Sequence, residues 1–146
     1  MTYKFEPKCY PYEATFEALN AFYQVRQHQH QINAEHLQKF RNMVNVLDHY
    51  KIAIGDDPVL VRDELRRSDI SDFADMTKTH DKYQAALPKA RERLIGYVFL
   101  RGSDPNRYSS LINGFSNQYT IGTAQYPDNL TTAYGILCYF LTVAIN

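Results

Sequence analysis

The chain has no tryptophan, only two cysteines and no excess of either charge: 16 Lys and Arg stand against 16 Asp and Glu over 146 residues. Each absence excludes something. Cys9 and Cys138 cannot build a disulfide framework or a four-ligand zinc site. A formal net charge of zero removes any overall attraction to nucleic acid or to an anionic membrane. The longest apolar run, 136–145, is ten residues with Thr142 inside it, against the ~20 that a membrane span needs. Lys4 and Glu6 interrupt the opening residues, so they do not read as a secretory signal. The expectation is a reduced, soluble, cytoplasmic protein. What is present is a globular composition, 45% hydrophobic and 22% charged, which argues against disorder and for one domain. Twelve Tyr and eight Phe give a mild interface flavour.

Residues 1–12 read as an extended arm, because Pro7 and Pro11 remove backbone donors. A helical body over 13–146 follows. Phe16, Leu19, Phe22 and Tyr23 form one stripe at helical spacing. A polar connector, Gln27-His28-Gln29-His30-Gln31, leads to Asn33, a good N-cap. Leu37, Phe40, Val44 and Leu47 then define an amphipathic helix over 34–50. Asp57-Pro58 reads as a cap with proline in the first turn. Val59, Leu60 and Leu65 are expected on its buried side. Polar residues 68–79 suit a flexible insertion. A fourth helix spans about 80–101, with Pro88 kinking or restarting it and Gly102 as its stop. Asp104-Pro105 opens a fifth helix bearing Tyr108, Leu111, Ile112, Phe115 and Tyr119. Asn129 caps the last, where Leu130, Ala133, Tyr134, Leu137, Cys138 and Leu141 share a face. No strand-type alternation persists. The predicted fold is all-α, five or six helices packed as a compact bundle.

Motifs for catalysis are missing. There is no glycine-rich phosphate loop, no nucleophile elbow and no H-E-x-x-H. His28, His30 and His36 fall close together, but in a glutamine-rich stretch with only Glu35 as a nearby oxygen ligand. They read as solvent-exposed polar residues rather than metal ligands. Asp56-Asp57 reads as a helix-start carboxylate, not an acid/base pair. Arg62, Arg66, Arg67, Lys89, Arg91 and Arg93 are interleaved with Asp63, Glu64 and Glu92, a solvated mixed-charge face rather than a nucleic-acid groove. No enzyme activity, cofactor, metal, small-molecule substrate or membrane partner is expected.

Several segments resemble a known family in order and spacing. They are 19–27 (LNAFYQVRQ), 33–44 (NAEHLQKFRNMV), 46–50 (VLDHY), 54–58 (IGDDP), 99–108 (FLRGSDPNRY) and 126–134 (YPDNLTTAY). Together they are similar to the Gag polyprotein of copia-type retrotransposons. The resemblance covers roughly 3–141. It implies a capsid-type structural protein that oligomerises into a shell around the element's RNA. The matched part is similar to the helical C-terminal capsid lobe, which carries a self-association surface. The zinc knuckle with which that family binds RNA has no counterpart in the spacing of Cys9 and Cys138. The resemblance therefore implies self-association first, with RNA contacted weakly or through a separate module. The chain would be a piece of a longer Gag or a domesticated copy acting as a helical adaptor for a protein partner.

The last helix supplies an independent reason to expect association. Ile136, Leu137, Tyr139, Phe140, Leu141, Val143 and Ile145 cannot all face one core, and a helix apolar all round is buried or covered by a partner. Tyr139, Phe140 and Val143 are the candidate self-association residues. The alternative cover is the arm formed by residues 3–12. A small helical metalloenzyme built on His28, His30 and His36 is a third, weaker reading.

Overall fold

The computed structural model describes residues 10–70, 76–122 and 126–145, and the side chains among them as far as Phe140. Six helices follow in order: α1 (Pro11–Tyr23), α2 (Asn33–His49), α3 (Pro58–Arg67), α4 (Asp81–Arg101), α5 (Pro105–Thr120) and α6 (Leu130–Ile145). Among the described residues there is no strand, and the protein is an all-α bundle. The expected arm falls mostly on residues 1–9, and part of the expected insertion on 71–75, both outside the described residues; the arm's last two residues, Pro11 and Tyr12, already belong to α1, because proline suits the first turn of a helix.

Local chemistry explains where the helices begin. Pro11, Pro58 and Pro105 stand in the first turns of α1, α3 and α5, where the missing N–H has no helical partner to lose. Asp104 accepts from the Asn106 N–H at 3.1 Å, and Asn129 from the Thr132 N–H at 2.8 Å. His80 caps α4 through Nδ1. α4 runs unbroken through Pro88; that residue is exposed, so water can serve the carbonyl it leaves without a helical donor.

α4 is the central element, packing on α6 with its second half and on α3 with its first. The main core gathers Phe22 from α1, Phe40 and Leu47 from α2, Ile95 and Phe99 from α4, Tyr108 and Phe115 from α5, and Ala133 and Leu137 from α6. Its aromatic rings touch in series, Phe22 to Phe40 and Phe40 to Phe99, each at 5.4 Å between centroids. A second, smaller cluster of Val61, Leu65, Tyr83 and Ala86 joins α3 to the start of α4.

Four expectations change. The core face of α1 is Ala18 and Phe22, while Phe16 is 67% exposed and Tyr23 is also outside. Both stripes are apolar, and periodicity alone does not choose between them. In α3, Val59 is exposed and Leu60 only half-buried, and the inner face is Val61, Glu64 and Leu65. Asp57 does stand at the cap position, but its side chain caps nothing. Asn33 is the first residue of α2 rather than its cap; the cap is Ile32, whose N–H reaches the Glu35 carboxylate at 3.3 Å. Gly102 ends α4 with a right-handed φ of −83°. It is glycine because a Cβ there would lie 2.6 Å from the Val25 carbonyl oxygen, so any side chain would push the α1–α2 connector off α4.

Candidate functional site

α5 and α6 lie side by side, and the sequence of α6 sets which residues line the space between them. Ala133 and Leu137, four residues apart, are fully buried against the core. The helix turns its other sides outward, so Thr132, Gly135 and Tyr139 are exposed. Ile136 and Phe140 lie between, half-buried. With Leu111 of α5 these residues line an open groove of about 540 Å³. No charged residue lines it. Tyr139 projects from its edge, 71% exposed. Phe140 is anchored on its inner side by the Tyr108 ring, 6.0 Å away. Two of the three residues expected to drive self-association therefore come together in one groove. The side chain of Val143 lies outside the described residues.

Behind the groove sits a buried polar latch that was not anticipated. The Gln27 side chain donates to Asn33 Oδ1 and to the Gln31 carbonyl, both at 2.9 Å. Its own oxygen accepts from the Asp104 N–H at 3.0 Å. Tyr108, fully buried, donates its hydroxyl to the same Asn33 Oδ1 at 3.0 Å. Asn33 Nδ2 points at the Cys138 sulfur, 3.9 Å away. Arg107 closes the outer side, holding Asp104 at 2.9 Å and the carbonyls of His28 and Gln31 at 3.1 and 2.7 Å. The Arg107 guanidinium and the Asn106 N–H hold the Asp104 carboxyl below its ordinary range, against the opposing effect of burial. Each of these polar groups is hydrogen-bonded, and Gln27 with Asp104 and Asn33 with Tyr108 are joined across more than seventy positions, which is what makes their burial tolerable.

The histidines do not meet. His28 and His30 are exposed in the connector, whereas His36 is fully buried in α2, which corrects the expectation that all three face solvent. The His36 ring stacks on Phe99 at 4.5 Å, with Nε2 3.4 Å from the Phe99 carbonyl and Nδ1 without a hydrogen-bond partner. Burial lowers its pKa to about 4, helped by the nearby charges of Lys39 and Arg107 and opposed by the Phe99 carbonyl. Among the described residues no group of three or more His, Cys, Asp or Glu is placed to hold a metal ion. Asp56 and Asp57 are exposed.

The mixed-charge face resolves into a cleft of about 750 Å³ between α2, α3, α4 and the start of α6. At its floor Arg93 pairs with the buried Glu64 at 2.5 Å and reaches Asp128 at 3.4 Å. This pair was read as solvated from sequence, and burial of Glu64 is the correction. Arg91 pairs with Asp48 nearby. Positive and negative groups neutralise one another across the cleft, which offers no concentrated field for a phosphate chain.

The chain matches no protein-family model, no curated protein and no solved structure. Among the described residues no helix is long and apolar enough to cross a membrane.

Proposed function

We propose that this is a structural, self-associating helical domain of retroelement capsid type, and that its role is to contact copies of itself rather than to turn over a substrate. The observation that carries the reading is the uncharged α5/α6 groove, where Tyr139 and Phe140 stand beside Leu111 and Ile136 at the surface. Exposed apolar surface of this kind costs solubility unless something covers it. A second line of support comes from the motifs that resemble copia-type Gag. The residues of 19–27, 33–44 and 99–108 close the latch and the aromatic core, so the likeness lies in residues that hold the fold together. RNA enclosed by such a shell would be held mainly outside this neutral domain.

The test is mass and morphology. Light scattering of concentrated protein at high salt should show species larger than a monomer, and negative-stain images should show particles or regular oligomers. Tyr139→Asp should reduce the mass while circular dichroism stays unchanged, because this side chain is exposed and supports nothing beneath it. A domesticated adaptor would instead remain small at every concentration and salt.

A further inference from the structure

Resting on the self-association reading above, we infer that the groove is filled by the same groove of a second copy, with α6 lying antiparallel to α6 about a twofold axis between positions 135 and 139.

Shape is the first argument. Thr132, Gly135 and Tyr139 follow one another at steps of three and four along the outer side of α6. A Cβ built at Gly135 would touch nothing, so the backbone is bare there and the groove is hollow. Tyr139 projects four residues on, about 6 Å along the helix axis. In an antiparallel pair each Tyr139 ring comes over the other copy's Gly135. A projection and a matching hollow on one surface are what an isologous contact requires, because the same patch must serve both sides.

Charge is the second argument. Near a twofold axis every group approaches its own copy, so a charge there would repel itself. None of the lining residues is charged. A charged partner would leave its own groups unpaired against this surface, at a desolvation cost.

Area sets the strength. The groove is lined by six residues, against the roughly 20–30 residues a side of a standard interface. A stable pair needs ~800 Å² per partner. The contact therefore belongs to the weak class, and the dimer should appear only as concentration rises.

Sedimentation velocity from micromolar to millimolar protein tests this, comparing wild type with Gly135→Gln. Glutamine is the better helix former and its Cβ meets no neighbour on its own molecule, so the thermal midpoint should hold or rise while dimerisation weakens at least tenfold. A second arm mixes Gly135→Cys protein with Tyr139→Cys protein under mild oxidation and maps the disulfides. The mixed bridge between 135 and 139 of two chains should outnumber both homotypic bridges. A bridge within one chain between Cys9 and position 135 would mean that the N-terminal segment occupies the groove, and would overturn the inference. So would association undiminished by Gly135→Gln, although self-association through another face would then stand. A monomer at every concentration would overturn both.

Discussion

The two apolar clusters are built on different principles. The main core joins five of the six helices through large rings and branched chains, and its buried amides and hydroxyl, Gln27, Asn33 and Tyr108, are hydrogen-bonded to one another. The smaller cluster holds α3 to the first half of α4 with four buried side chains, of which only Val61 and Leu65 are fully enclosed. It is tied to the rest through charge, by the Glu64–Arg93 pair. Gly55, at φ +77°, lets the α2–α3 connector lie directly on the α4 backbone at Arg91, where a Cβ would approach within 2.7 Å. The groove proposed for assembly belongs wholly to the larger body. The contrast implies a larger part that presents a surface and an appended part held by a small apolar cluster and one ion pair.

Truncation should separate the two most sharply. Phe99→Ala removes a fully buried ring that touches both Phe40 and His36. It should cost about 3–5 kcal/mol, enough to unfold much of a domain of ordinary stability. Leu65→Ala, equally buried but in the smaller cluster, should cost about 2–4 kcal/mol. Hydrogen exchange should then show α3 losing protection while α2 and α6 keep theirs. Equal loss of protection everywhere would mean that the two clusters unfold as one.

Acid should attack the larger body first. The pKa of His36 is about 4 in the folded protein, below the ordinary 6.5 of the unfolded chain. The unfolded state therefore binds more protons between these values, and stability falls as pH drops through that window. From pH 7 to pH 4.5 the loss should be about 2–3 kcal/mol. Asp104, with its lowered pKa, adds a loss of the same sign at still lower pH. Urea titrations at several pH values check this, and His36→Leu should flatten the upper part of the profile. If the profile is unchanged in that variant, the burial of His36 does not govern the acid response.

The ion pair is the next test. Glu64→Gln leaves Arg93, among the described residues, with the exposed Asp128 as its ion-pair partner and the weaker field of Asp63. Loss of stability should be about 2 kcal/mol, smaller than for a fully enclosed pair because Arg93 keeps contact with water. Opening should again be confined to α3 and the start of α4. The concentration dependence of mass should not change, since the groove lies elsewhere; if it did, the contrast drawn between the two bodies would be wrong.

Much of this was legible in the sequence, and the failures have a common cause. Six helices and most of their bounds follow from 3.6-residue spacing and from proline and capping signals, all of which act within a few neighbouring residues. The apolar excess of α6 was visible at Tyr139 and Phe140 for the same reason. Gln27 looked like a solvated connector residue and Asn33 like a simple helix cap, because the groups that satisfy them, the Asp104 N–H and the Tyr108 hydroxyl, come more than seventy positions later. Glu64 looked like a surface charge because Arg93 arrives 29 positions on. His36 sat in a polar run, and nothing local announced the Phe99 ring. Gly135 gave no sign of a hollow, which exists only once Leu111 of another helix stands beside it.

The finest distinction between the two bodies lies at a pair of helix ends. α2 and α3 both finish with a residue in the left-handed region, Lys51 at φ 55° and Asp69 at φ 60°. The hydrogen bonds match: the Ile52 N–H returns to the Leu47 carbonyl and the Ile70 N–H to the Leu65 carbonyl, each at 2.9 Å. In both, the following isoleucine packs into its own cluster, Ile52 in the larger and Ile70 in the smaller, the apolar seal that accompanies this cap. Lysine adopts such a backbone at a cost of about 1–2 kcal/mol, and aspartate at less. Glycine removes that cost but gains freedom in the unfolded chain, which takes back about 0.4–1 kcal/mol. Lys51→Gly should therefore stabilise the protein by about 0.5–1 kcal/mol, and Asp69→Gly by close to nothing. A rise in the denaturation midpoint for the first and not the second would show that strain at this cap is concentrated in the larger body. The reverse order would mean that the Asp69 side chain, rather than its backbone, sets the end of α3.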